Sequence, residues 1–557
     1  MSNFYEQDPN LQEILESMMS EEFYKWADQE LKEFGKLCAG PVDERAVQTD
    51  REGAPRLIRY DRMGEEVSEV WLNEGYKQTI ADVYKTGIVG YIHKSIPTLG
   101  HKGGYLYSFA QGYLLSHAEP GFYCPVTLTM ATAYLIDHYA DKELKDRYLP
   151  HVLATGDREL YEGATFLTER QGGSDVGANQ VKAVKEGDHY ILHGEKYFAS
   201  NAGACGVAMV LARQDGAPDG TRGLSLFLVP WEENRSNKRL RIRRLKDKLG
   251  VRAVPSAEVE FEGTTAYLVG EADRGFYYMM EALNLSRVCN AAASLGIMRR
   301  AFLEARDYAN ARKAFGKRLN EYPMVRETLT SLAVKQETET NALFSVIELF
   351  DKVMAVDSKA SQQEKILLRL FIAIMKKETA EQAIAFSHQA IELHGGNGYI
   401  EDFVTPRLLR DAQVLTVWEG TANILGLEVL RLIHNYQADK LFLDEMNRRL
   451  ENLAGDPSSY CRQLLQSKLE ELAVFIGDIK QLDKHLQTYY SKRIAEKMAV
   501  IFESVIALEK AEDGQERKQA IAEIYVEKAF GPEKVESDPL PNRYFELIVG
   551  ARNPVTA

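Results

Sequence analysis

The feature that most restricts this fold is a change of hydrophobic period along the chain. Between about residues 161 and 272, Ala257, Val259 and Phe261 alternate with Glu258, Glu260 and Glu262, which predicts a strand with one wet face. The runs GVAMVLAR and GLSLFLVP, bounded by Gly or Pro, read as two further strands. Several short strands separated by turns predict a small sandwich or barrel. On either side the period lengthens to three and four. DPNLQEILESMMSEEFYKWADQELKEFGKL and TMATAYLIDHYADKELKDRYLPHVL are long amphipathic helices. Ala291, Leu295, Met298, Phe302, Ala305 and Ala309 share one helical face, and Leu469, Leu472, Phe475, Ile476, Ile479, Leu482 and Leu486 form another stripe. The helix before HGGNGY is expected to stop at the Gly395–Gly396 pair, where glycine takes the left-handed cap.

The chain has 557 residues, enough for more than one domain. The pattern predicts a multi-domain α+β protein: an N-terminal helical domain over 1–160, a middle β-domain over 161–272, a C-terminal helical domain over 273–438 and a helical extension over 439–557. LAGDPSS reads as the linker into that extension.

The formal net charge is -14, which repels nucleic acid and anionic membranes. From Asp439 onward there are 17 Lys and Arg against 21 Asp and Glu, so the extension is no basic DNA-binding tail. The start, MSNFYEQDPN, has neither the basic nor the apolar part of a signal peptide. The longest apolar run, ILLRLFIAIM, is interrupted by Arg369 and reads as a buried helix, not a membrane span. Cys38, Cys124, Cys205, Cys289 and Cys461 are scattered without a CxxC pair. No metal site or disulfide framework is expected, and a reducing cytoplasm is the default.

Several polar, glycine-bearing stretches could carry chemistry, each with a plain structural alternative. LTERQGGSDV leaves a strand; its glycines let a ligand approach the backbone, or it is a surface loop. In EKYFASNAG, Phe198 could stack on a flat ring, or it ends a strand in the core. In ARKAFGKRL, Arg312 could clamp a phosphate and Phe315 cover a base, or the stretch is a solvated basic patch. HGGNGY lacks a preceding strand and is no dinucleotide fingerprint. The basic stretch RSNKRLRIRRLKDKLGVR could hold anionic CoA phosphates, but it reads better as one charged face of an exposed strand pair. In LTVWEGTANI, Glu419 stands between Trp418 and Gly420, with Thr421 as a good N-cap for the helix that follows. An acid there suits the helix dipole as well as it suits a reaction.

Taken in order, LTERQGGSDV, YFASN, KDKLGVRAVPSAEVEFEG, RKAFGKRL, LHGGNGYIED and RDAQVLTVWEGTANI resemble the acyl-CoA dehydrogenase flavoprotein family over about 167–424. CPVTLTMA, RLKDKLG, VWEGTANI, Glu392 and the long extension look closest to its AidB-like branch. AVPS at 253–256 departs from the commoner family pattern.

The resemblance implies an N-terminal α-domain, a middle β-sandwich and a C-terminal four-helix bundle with FAD bound between them. By motif position, Leu167, Thr168, Gly173 and Ser174 would face the flavin and its pyrophosphate. Phe198, Ala199 and Ser200 would lie along the flavin ring. Arg312, Phe315, Gly395 and Gly396 would reach the FAD of a neighbouring subunit. Thr421 and Asn423 would hold the cofactor beside Glu419, and Arg287 would stand near the substrate mouth. Glu419 would take the α-proton of an acyl-CoA thioester while the β-hydrogen leaves as hydride to flavin N5. Such a base needs a dry slot and alignment with the α-carbon. Implied partners are an electron-transfer flavoprotein and further copies of the chain, as a homodimer or homotetramer. The alternatives are an AidB-like flavoprotein acting on a non-CoA substrate, or one associated with DNA.

Overall fold

In the computed structural model, residues 3–355, 357–453 and 459–550 are described. The expected linker LAGDPSS, at 453–459, falls almost wholly outside them. The chain forms two compact units, one built mainly from residues 19–289 and the other mainly from 290 onward.

The first unit combines helices with a seven-stranded sheet. Two of its helices, Gly104–Leu115 and Pro120–Tyr139, are almost entirely buried. The sequence pattern had not shown that β1 (Arg56–Tyr60) and β2 (Glu66–Trp71) form an antiparallel hairpin within the helical N-terminal part. Charged residues interrupt both strands, and apolar Ile58 and Tyr60 are exposed while polar Ser68 is buried, so no clean alternation marks them. Val70 joins the core of the β-domain, and the Ser68 hydroxyl accepts the Ile242 amide at 3.1 Å.

The larger sheet contains β3 (Gly163–Phe166), β4 (Lys182–Glu186), β5 (His189–Ser200), β6 (Val207–Gln214), β7 (Leu224–Pro230), β8 (Leu240–Leu245) and β9 (Ser256–Val269). Pairings run β6–β4–β5–β9–β7 and back to β6, so the strands close on themselves. β3 adds to β6 in parallel, and β8 adds to β9. Phe166, Leu192, Val210, Phe227, Trp231 and Val259 fill the interior. The acidic face of β9 is wet only toward Glu262, which is exposed. Glu258 is buried beneath Arg244 and Lys246 at 2.8 and 2.6 Å, and Glu260 pairs with Arg241 and Arg243. The basic stretch is therefore spent on neutralising its neighbour strand.

The second unit is helical. Its chief members are Pro323–Met354, Gln362–His394, Ala422–Tyr436, Ser459–Lys480, Lys484–Ala511 and Glu516–Phe530. The run ILLRLFIAIM lies in the Gln362–His394 helix, which ends on Gly395 as the glycine pair predicts. Among the described residues, no helix is long and apolar enough to cross a membrane. The apolar stripe beginning at Leu469 does not make one helix. Asp483 accepts the His485 and Leu486 amides and starts a new one, and Leu486 is exposed.

The extension packs onto the bundle helices. Phe371 stacks on Phe502 with ring centroids 4.4 Å apart, and Arg517 grips the buried Glu337 through two nitrogens. At the centre, the Lys335 ammonium lies 2.8, 2.9 and 2.8 Å from Glu339, Glu378 and Glu503. These three carboxylates stand close enough to one another to bind a cation. The ammonium is that cation.

Candidate functional site

In the first unit, β3 delivers the chain into LTERQGGSDV beside the helix Pro120–Tyr139, where the Thr129 hydroxyl accepts the Gly163 amide at 2.9 Å. Four contacts fix the start of the loop. The buried Lys196 of β5 donates to the Leu167 carbonyl at 3.1 Å and to Glu169 at 2.8 Å. Asn179 donates to the same carbonyl, and the Tyr197 amide donates to the Thr168 carbonyl at 2.9 Å. Glu169 also accepts the Gln180 and Val181 amides. Burial pushes the Lys196 ammonium below its usual pKa, against the pull of Glu169.

Leu167 and Thr168 are half-buried, while Gly173 and Ser174 are exposed. A Cβ on Gly173 would meet the Thr168 hydroxyl at 2.5 Å, so a side chain there would force that hydroxyl to turn away. Phe198 sits where the β5–β9 register slips, between Lys196 and Ala199. Such a bulge re-aims a side chain. Phe198 is 53% exposed, which removes the reading of it as a core residue, whereas Ala199 is fully buried in the β-domain interior. The Lys246 ammonium lies 4.6 Å from the Phe198 ring centre. Ser200 faces Ser256 across the pair, hydroxyl to hydroxyl at 3.4 Å.

The unusual AVPS stretch has a structural job. Its Val254 carbonyl accepts Lys248 at 2.6 Å and its Pro255 carbonyl accepts the Asn201 amide at 2.8 Å, tying the loop before β9 to the end of β5. Arg287 lies on the helix Gly275–Ala311, is mostly buried and donates to Asn284 at 3.0 Å.

In the second unit the structure brings two motifs together. Arg312 opens the short hairpin of β10 (Lys313–Ala314) and β11 (Lys317–Arg318), with Phe315 and Gly316 at its tip, both at positive φ. Phe315 is 98% exposed. One turn before Arg312, the Tyr308 ring stacks on His394 at 4.2 Å and its hydroxyl accepts from Asn397 at 3.1 Å. This sets the hairpin beside the Gly395–Gly396 turn, where a Cβ on either glycine would meet nothing within 4 Å.

Glu419 follows the helix Thr405–Leu415 and precedes Ala422–Tyr436. Glu419 and Gly420 both have positive φ, 59° and 105°. The sequence accounts for the glycine but not for a left-handed glutamate. Glu419 and Trp418 are half-buried, Thr421 and Asn423 exposed. Thr421 occupies the N-cap as expected, yet its side chain makes no capping bond.

Lys196, Glu169 and Lys376 are not marked by any motif, though the two lysines leave a trace in the sequence. Lys196 falls in phase with Leu192 on β5, and Lys376 in phase with Leu368 and Ile372 on its helix. A lysine on a core-facing phase needs a partner.

In the first unit an exposed Phe198 ring stands near a glycine-bearing loop, and in the second, open glycines lie beside an arginine. Each is a surface on which a flat ring or a phosphate can rest. Comparison with known proteins gives the class, a flavoprotein oxidoreductase. Residues 1–156 match the model of the adaptive response protein AidB N-terminal domain. Residues 164–264 and 273–433 match the acyl-CoA dehydrogenase middle and C-terminal domains. Acyl-CoA dehydrogenase family member 11 of Caenorhabditis elegans is 30% identical over 545 residues, 94% of this chain and 86% of that protein. The putative acyl-CoA dehydrogenase AidB of Escherichia coli is 30% identical over 435 residues, 76% of this chain and 77% of that protein. The solved structure of Caenorhabditis elegans ACDH-11 in complex with C11-CoA has a TM-score of 0.88 at 27% identity, covering 96% of this chain and 92% of that one. The chain belongs to the acyl-CoA dehydrogenase family, whose members are FAD flavoproteins, and to its AidB-like part.

Proposed function

We propose that this chain removes the α- and β-hydrogens of an acyl-CoA thioester, with Glu419 as the base. The observation that carries the reading is the backbone at Glu419: a non-glycine residue held left-handed between two helices. Such a conformation costs about 1–3 kcal/mol and persists where the surroundings over-determine it, which is common at active sites. The carboxylate takes the α-proton. Positioning does much of the work, because the base, once aligned, needs no search. Bound FAD supplies the electron sink that receives the hydride.

Leu167, Thr168, Gly173 and Ser174 would contact the cofactor through the loop that Lys196 and Glu169 fasten. Phe198, Ala199 and Ser200 would border its ring, with Ala199 acting through backbone since its side chain is buried. Thr421 and Asn423 would hold it beside Glu419. Arg312, Phe315, Gly395 and Gly396 would reach a second copy's cofactor, consistent with a Phe315 ring that almost nothing in its own chain covers. Arg287 would set the substrate mouth. We assign an electron-transfer flavoprotein as the acceptor and a homo-oligomer as the working form. The four-part division at residues 160, 272 and 438 is retained as the working domain plan. We place the protein in a reducing cytoplasm, as five scattered cysteines without a CxxC pair suggest.

The test is an anaerobic titration of the purified protein with acyl-CoAs from short to long chain, read at the flavin absorbance. Bleaching by one chain range is expected, together with a Glu419→Gln variant that keeps its flavin and loses most turnover. A flavin that no acyl-CoA reduces, or near-normal turnover in Glu419→Gln, would overturn the reading.

A further inference from the structure

Lys376 lies on the helix Gln362–His394, is 1% exposed, and donates from Nζ to the Gly420 carbonyl at 2.7 Å. We propose that Lys376 is a positioning residue for Glu419, clamping the peptide that follows the base. The proposal rests on the reading of Glu419 as that base.

Three observations meet here. Glu419 and Gly420 are consecutive left-handed residues, so the carboxylate's direction depends on two backbone angles that L-residues avoid. The Gly420 carbonyl precedes the N-cap Thr421, and therefore lies outside the hydrogen bonds of the following helix. Nothing in regular structure would fix that peptide plane. Finally, burying an ammonium is costly unless it is well bonded, and a charge-assisted bond to a carbonyl is stronger than a neutral one. A lysine in the buried stripe of Leu368 and Ile372 is thus a poor choice for packing and a good one for holding a peptide.

The adjacent Lys377 serves a different end, pairing with Glu381 and Glu496 at 2.9 and 3.2 Å. The two neighbouring lysines divide the labour: one ties the bundle to the extension, the other ties it to the bend. Holding the Gly420 carbonyl fixes ψ of Gly420, and with it the angle at which the bend bearing Glu419 joins the helix that starts after Thr421. A displacement of about 1 Å at a reacting group can cost about 100-fold in rate.

The experiment compares wild type, Lys376→Met and Glu419→Gln as flavin-bound, full-length protein, using the acyl-CoA that bleaches the flavin in the titration above. Lys376→Met is expected to keep its flavin and a KM within about threefold, while kcat falls about 10- to 100-fold. Hydrogen exchange provides a readout independent of turnover. Amides in 417–422 should exchange faster in Lys376→Met, with those of β5 unchanged. A general loss of packing would instead raise exchange throughout the Gln362–His394 helix and would count against the proposal. If Lys376→Met does not fold, Lys376→Gln takes its place, with the same split expected from its shorter reach. An inactive Glu419→Gln beside a Lys376 variant within twofold of wild-type kcat would overturn the clamp alone. An active Glu419→Gln would overturn the base reading and the clamp with it.

Discussion

The Lys196 ammonium lies 2.8 Å from the Glu169 carboxylate, and both side chains are buried at the root of the loop that carries Leu167 and Thr168. Removing one partner of such a pair strands the other. Lys196→Met is expected to destabilise the protein by about 3–5 kcal/mol and to weaken flavin retention. Adding Glu169→Leu should restore only part of this, because the Gln180 and Val181 amides then lose their acceptor. Urea unfolding and flavin retention on gel filtration check both expectations.

Lys335 faces three buried carboxylates, and one ammonium cannot balance three negative charges. Burial, with the neighbouring carboxylates, holds Glu339 well above the usual carboxylate range and raises Glu503. Burial pushes Glu378 up too, but the Lys335 charge and hydrogen bond, with Lys377 and Gln382, together outweigh it and leave Glu378 lowered. Groups whose pKa rises on folding bind protons more tightly in the folded state, so this cluster loses stability as pH rises above the ordinary Glu range. Lys335→Met should cost about 3–5 kcal/mol and should cost more at pH 8 than at pH 5.5. A penalty equal at the two values would contradict the raised Glu339 and Glu503. Denaturant midpoints at the two pH values decide it.

Glu162 is a simpler titration. Burial raises its carboxyl from 4.5 to about 7, although the Tyr84 hydroxyl, donating at 2.9 Å, favours the charged form. The folded protein therefore holds a proton that the unfolded chain releases. Stability should fall as pH climbs from 4.5 to 7, by about 3 kcal/mol for this group. Glu162→Gln keeps an acceptor for Tyr84 and should flatten that part of the profile. A melting temperature measured against pH in both proteins tests it.

Gln437 joins the helices Ala422–Tyr436 and Ala438–Glu451 in the left-handed conformation, φ 54° and ψ 39°. Glycine adopts it without strain. Gln437→Gly is expected to stabilise the protein by about 0.5–1 kcal/mol, net of glycine's greater freedom when unfolded. The exposed bond from Lys440 that it removes counts for little. Thermal melts suffice.

How far the sequence could be read depended on what each pattern encodes. Strands such as β6 and β7 and the stop at Gly395 were legible because period and glycine report local backbone choices. The β1–β2 hairpin was not, since it packs through a few residues such as Val70 and keeps a charged exterior. The Leu469 stripe ran across two helices because period alone ignores Asp483, a cap that ends one phase and begins another. Glu258 looked solvated because alternation cannot announce that a basic strand will cover it. At the site, Phe198 and Glu419 were visible through motif order, while their supports were not. Lys196 and Lys376 act on carbonyls 29 and 44 residues away, a relation that no local spacing carries.

The extension's grip on the bundle has a consequence for synthesis. Lys335 meets Glu503 across 168 residues, and Glu337 meets Arg517 across 180. At about 5–20 residues per second, a ribosome needs roughly ten to forty seconds to supply those distant partners. During that interval Glu337 has no Arg517 to meet, and Lys335 has only two of its three carboxylates. The centre of the bundle can therefore close fully only after residues 503 and 517 have been made.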